Sequence, residues 1–181
     1  MTDVRGGGIR AAASQVEKRI GDSAGSADKK KGSYRTAADV IYGGSGTNRT
    51  GLAHFATIPA GTKSVRVSAQ LPETGFYATV FAMPGGGQAK PSSRIEVRDG
   101  SNKVRCSKSA THADVWTVVV GDFTESGKDN VVLNCTFAAP AAGTDVVVRF
   151  TGSVYGQAWG GAFMVGSVSA APKNIRIEFL K

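Results

Sequence analysis

The sequence predicts an all-β chain: an antiparallel β-sandwich, jelly-roll-like, carried behind an extended basic N-terminal arm that contains a short helix. Three observations predict it. After residue 50, short runs alternate apolar and polar residues. The 24 glycines are spread among turn signals and imply thin layers of small residues. Before residue 50, charge and small residues replace the alternation. A chain of 181 residues holds one full core and little more, so the expected division is an arm and linker over 1–50 and a sandwich over 51–181.

Within the arm, Ile9, Ala13, Val16 and Ile20 recur at helical spacing, with Arg10, Glu17, Lys18 and Arg19 off that line. A helix of three turns is marginal alone in water, so it needs a surface to dock on. The following stretch, GDSAGSADKKKGS, is too poor in apolar residues to pack and reads as a linker, and YGGSGTNRTG at 42–51 reads as a second connector. From Met1 to Arg35 eight basic residues face four acids, half of the chain's net charge of +8. Arg5, Arg10, Lys18, Arg19, Lys29, Lys30 and Lys31 are the candidate contacts of the arm. They suit nucleic-acid phosphates, an acidic neighbouring subunit, or simply a solvated tail. The four acids, and the lack of an aromatic before Tyr34, weigh against nucleic acid.

In the sandwich, Val65, Val67, Ala69 and Leu71 share one face of a strand that Pro72 is expected to end before FYATVFAM starts another. RIEVRDGSNKVRC reads as a hairpin turning at Asp99-Gly100. VWTVVV at 115–120 is apolar at every position, as a central strand covered on both faces would be, whereas NVVLNCTF points Val131, Leu133, Cys135 and Phe137 inward. VVVRFTG, GAFMVGSV and NIRIEFL complete roughly ten strands. Phe55-Ala56, Ala60-Gly61-Thr62 and Val65 match Phe137-Ala138, Ala142-Gly143-Thr144 and Val147 at identical spacing, so one kind of corner is expected twice.

No constellation rises to a catalytic motif, and no catalytic, cofactor or metal residue is assigned. His54 and His112 are the only histidines. His112-Ala-Asp114 lacks a serine in a nucleophile-elbow context. Cys106 follows the inward phase of a strand, and with Cys135 it reads as a pair of buried thiols, because disulfide-framed small domains carry more cysteines. Asp122, Glu125, Asp129 and Asn130 read as a solvated acidic turn rather than a calcium loop. Tyr155 and Trp159, in VYGQAWGG, either plug the core or stack on a sugar or base.

The layout of a Gly- and Lys-bearing arm before a Gly-rich sandwich, with no apolar leader in MTDVRGGGIR, resembles virion proteins: phage or viral coat, head-decoration and tail components. The run FATIPAGTKSVRV at Phe55–Val67 is similar to corners of accessory sandwich modules in secreted enzymes and of carbohydrate-binding modules. Neither likeness carries over a functional residue. The first implies a structural virion protein, synthesised in the host cytoplasm. It would assemble with its own copies and other virion proteins, with nucleic acid as an arm partner and no membrane. The second implies a glycan-binding adhesion or receptor-binding module. An enzyme is not expected.

Overall fold

In a strand, successive side chains point to opposite faces, so alternation decides what is buried. The long strands obey it. In β6 (Ser64–Ala82), Val65, Val67, Ala69 and Leu71 are buried, and in β11 (Asp145–Gly160) Val146, Val148, Phe150, Gly152 and Val154 are buried while the residues between them face outward. The computed structural model describes residues 2–3, 9–12, 25–28, 30–41 and 43–181, which form two antiparallel sheets with no helix.

The first sheet has seven strands in the order β1 (Thr2–Asp3), β13 (Lys173–Leu180), β6, β12 (Phe163–Ala170), β4 (Ser33–Ile41) and β3 (Gly25–Asp28). β10 (Gly121–Ala138) runs along the other side of β6. The second has six: β2 (Ile9–Ala12), β5 (Gly44–Thr57), β11, β7 (Gly85–Arg98) and β8 (Val104–Thr111), with β9 (Val115–Thr117) also on β7. Two core clusters lie between the sheets. One gathers Leu52, Ile58, Val65, Ile95 and Phe150; the other is built of smaller residues such as Ala38, Ala78, Ala82 and Ala89 with Met164. Here the sheets approach over glycines: a Cβ on Gly152 would stand 2.6 Å from the Tyr34 ring, and one on Gly156 2.5 Å from the Met164 side chain. The thin, small-residue layers expected from composition are these.

Several expectations change. β6 runs unbroken through Pro72. On one side Gln70 pairs with β13 and Gly75 with β12, so Pro72 falls in the gap between those two strands. On the other side the β10 register shifts between Asp129 and Val131, and the Glu73 N–H donates to Asn130 Oδ1 at 2.9 Å. A missing backbone donor costs nothing at such a place. The hairpin of β7 and β8 forms as read, but its loop spans 99–103. Asp99 Oδ1 accepts from the backbone N–H of Ser101 and Lys103, both at 3.0 Å, and Asn102 takes φ 64°. These hydrogen bonds, the Ser101 hydroxyl first, pull the Asp99 carboxyl down to about 2, with Arg105 adding to them.

Residues 33–41 and 44–50, read as arm and connector, are strands of the two sheets, with Tyr34, Ala38 and Val40 buried and Asn48 Nδ2 donating to Ala37 O at 2.8 Å. Over Ile9–Ala12 the backbone pairs with β5 as strand β2 instead of opening a helix, and the rest of the helical stripe, 13–20, lies outside the described residues. The apolar run 115–120 is not a central strand: only Val115–Thr117 pairs, and Val118, Val119 and Val120 stand 52%, 63% and 66% exposed.

Cys106 and Cys135 are joined by a disulfide, not left as two thiols. Local sequence could not show this, because β8 and β10 are edge strands of different sheets whose inward faces meet only in the fold. The repeated corner does form twice. Gly61 and Gly143 take φ of 79° and 80°, a left-handed conformation that favours glycine. Thr62 Oγ1 donates to Pro59 O at 2.8 Å and Thr144 Oγ1 to Ala141 O at 2.7 Å. The corners also bond each other, Ile58 N–H to Thr144 O and Gly143 N–H to Ile58 O, both at 2.9 Å.

Candidate functional site

The outward face of the second sheet is the most differentiated surface among the described residues. β11 is flanked by β5 and β7, and its outward positions Tyr155, Gln157 and Trp159 lie in successive rows. Pairing aligns Tyr155 with Lys90, Gln157 with Gln88 and Trp159 with Gly86, while β9 sets Trp116 beside Gln88. Trp159 is 41% and Trp116 55% exposed, so neither plugs the core. Gly86 makes room for the indole of Trp159: a Cβ there would be 2.3 Å from Trp159 Cζ2. Trp116 takes its direction from alternation, since its neighbours Val115 and Thr117 are buried.

A chain of polar groups lies in the rows beside the two indoles. Tyr155 Oη donates to Gln157 Oε1 at 2.9 Å, Gln157 Nε2 donates to Gln88 Oε1 at 3.3 Å, and Gln88 Nε2 donates to Asp114 Oδ1. Lys90 Nζ closes the chain on Asp114 Oδ2 at 2.9 Å. The hydrogen bond from Lys90 is the main cause that holds the Asp114 carboxyl below its usual range, with Gln88 assisting against partial burial. The arrangement offers flat apolar faces beside fixed donors and acceptors. That is what a pyranose needs, with apolar C–H faces for stacking and hydroxyls that donate and accept.

Of the residues picked from sequence, Tyr155 and Trp159 therefore meet on one face. Trp116, Gln88, Gln157, Lys90 and Asp114 were missed. The signal in Trp116 was the period-two burial of Val115 and Thr117, hidden by the valines after it. Arg5, Lys18, Arg19 and Lys29 lie outside the described residues, Arg10 is described only as backbone in β2, and the exposed Lys30 and Lys31 donate backbone N–H groups to Asp28 Oδ1 at 2.9 and 3.0 Å.

His112 does enter an acid–imidazole–hydroxyl chain, although not with Asp114. Its Nδ1 lies 2.8 Å from Asp129 Oδ2 and its Nε2 2.8 Å from Ser93 Oγ. Ser93 is 2% exposed, the imidazole is enclosed, and Phe76 stacks on it at 5.6 Å. Solvent does not reach the hydroxyl, so the chain ties β7, the segment after β8, and β10 together. Asp122 accepts from Thr79 at 2.9 Å, and no group of three or more metal-ligating side chains occurs among the described residues.

No protein-family model matches the chain, and no curated protein matches it. Among solved structures it is similar to the enzymatically active domain of bacteriophage CBA120 tailspike protein 4, at 9% identity and a TM-score of 0.31 over 96% of this chain. The chain spans 19% of that tailspike chain. It is also similar to TmCBM61 in complex with β-1,4-galactotriose, at 12% identity and a TM-score of 0.28 over 89% of this chain and 90% of that one. A third is Caldicellulosiruptor saccharolyticus CBM27-1 in complex with mannohexaose, at 18% identity and a TM-score of 0.27 over 90% and 88%. Likenesses this low carry no argument about what this chain binds.

Proposed function

We propose that the chain is a non-catalytic glycan-binding module that holds a polysaccharide along the outward face of its second sheet. The observation that carries this reading is the pair of exposed tryptophans, Trp159 and Trp116, set in adjoining rows beside the Tyr155–Gln157–Gln88–Asp114 chain. Trp159 and Trp116 stack on sugar rings; Gln157, Gln88 and Asp114 bond their hydroxyls. The network pre-orders these side chains, which lowers the entropy cost of binding. Trp159→Ala is expected to weaken the glycan signal on an array at least about tenfold, about 1.4 kcal/mol. Its melting temperature should stay near the wild-type value, because the ring is largely outside the core. A blank array for the intact protein would remove the reading.

A second reading, a virion component that self-assembles, is favoured by one further observation. Ile41, Met83, Val118, Val119, Val120 and Phe163 are all 38% exposed or more and gather at the end of the sandwich away from the two corners. Apolar clusters of this kind seek a partner surface, and a second copy of the chain supplies one. The Cys106–Cys135 bridge suits either reading, since disulfides persist in oxidising surroundings outside the cytosol. Light scattering should report an oligomer that Val119→Glu dissociates; a wild-type chain that is monomeric at every concentration would exclude assembly through this end.

A further inference from the structure

The stacking face continues along β11 into a groove of about 630 Å3 whose lining carries four arginines, Arg49, Arg94, Arg98 and Arg149, against two acids, Glu96 and Asp145. Strand register places the arginines regularly. Going from the corner end towards the tryptophans, the outward row at Val147 carries Arg98, the next carries Arg149 itself, the row at Thr151 carries Arg94, and the row at Ser153 carries Arg49. Each row thus holds one guanidinium, with rows about 7 Å apart along the strand. The row after these is that of Tyr155.

Glu96 is central to the ladder. Its carboxylate, with the side chain only 10% exposed, accepts from Arg94 Nη2 at 2.6 Å and from Arg98 Nε, and so fixes two guanidiniums from beneath; Arg98 Nη1 also donates to Asn102 O at 2.8 Å, so Arg94 keeps more N–H groups for a ligand than Arg98 does. Arg149, directly opposite Glu96 on β11, is exposed, and among the described residues neither a hydrogen bond nor an ion pair engages its side chain. The hydroxyls of Ser92, Ser109, Thr151 and Ser153 line the same groove. Guanidinium forks match carboxylate and sulfate oxygens, and interleaved hydroxyls match sugar hydroxyls.

We infer that this groove is a second set of subsites that selects an acidic polysaccharide, its sugar carboxylates or sulfates held by the arginine ladder while neighbouring rings stack on Trp159 and Trp116. The inference rests on the glycan reading above and adds the charge of the ligand. Single-stranded nucleic acid is the less favoured polyanion, because the four arginine rows offer one aromatic, Phe55 in the row at Val147, where bases stacking in succession need one after another.

The test is affinity electrophoresis of the intact protein in gels containing polygalacturonate, the same polymer with its carboxyl groups reduced to alcohols, dextran sulfate, neutral galactomannan, or poly(dT). Retention by polygalacturonate or dextran sulfate is expected, the two gels telling carboxylate from sulfate, with loss of retention on carboxyl reduction. Arg149→Gln, at an exposed outward position, should weaken retention by the acidic polymer about tenfold, the cost of one charge-assisted fork. The same variant should leave thermal melting unchanged. Retention by galactomannan alone, unaffected by Arg149→Gln, would overturn this inference and leave the glycan module standing. Retention by no polysaccharide would overturn both. Equal retention by poly(dT), independent of Trp159, would overturn the polysaccharide assignment in favour of general polyanion binding.

Discussion

Removing the Cys106–Cys135 bridge, by reduction or as the Cys106→Ala, Cys135→Ala double variant, is expected to lower stability by about 3–4 kcal/mol, the loop-closure cost for a segment of this length. The sequence separation is 29, and the bridge joins β8, an edge of one sheet, to β10, an edge of the other. It clasps one side of the sandwich where no backbone ladder connects the layers. Partly buried beside Val97 and Val67, its sulfurs also pack on the larger core cluster. For a chain of this size the loss corresponds to a fall in Tm of roughly 6–16 °C. Differential scanning calorimetry with and without reductant measures it, after non-reducing mass spectrometry has established that the two hydrogens of the thiols are absent. An unchanged Tm, or a mass equal to the dithiol form, would show that the sheets do not depend on this clasp.

Phe150→Ala is expected to cost about 3–5 kcal/mol, the usual price of a large aromatic cavity in a closed core. Phe150 is fully buried on the inward face of β11 and is the largest fully buried side chain among the described residues. It sits between the sheets with Leu52, Val148 and Ile95 in the same cluster, and the His54 ring meets its edge at 5.9 Å and 89°. Burial of that imidazole disfavours its charged form and lowers its pKa, so opening a cavity beside it should also let its titration move back towards the ordinary histidine value. Urea denaturation with an unchanged m-value and a lower midpoint is the expected signature. A loss below about 1 kcal/mol would mean that this cluster is loosely filled.

Much of the fold was legible because period-two burial is a local property. The inward faces of Val65–Leu71 and Val131–Phe137, the β7–β8 hairpin and both corners could be placed from residue order alone. Other features depend on partners distant in sequence. GSGTNRT reads as a connector since its glycines and asparagine disfavour strands and outweigh its two threonines, yet β11 pairs along its whole length and Asn48 finds Ala37 O across the core. Val118–Val120 looked like core because apolar composition does not reveal that a pairing partner is missing. For the site, Tyr155 and Trp159 were visible as aromatics in a glycine-rich stretch. Trp116 and Gln88 belong to strands that only tertiary pairing lays beside β11, and the arginine ladder is a property of register across β5, β11 and β7 that no single segment displays.

The mutual bonds between the turns at Gly61 and Gly143 have a topological consequence. Each turn carries the chain from one layer to the other, and each depends on main-chain groups of its counterpart some eighty positions away. Neither crossing can therefore be lengthened or cut in isolation, and circularly permuted versions should keep both intact by opening the chain at the opposite pole, between Gly160 and Gly161.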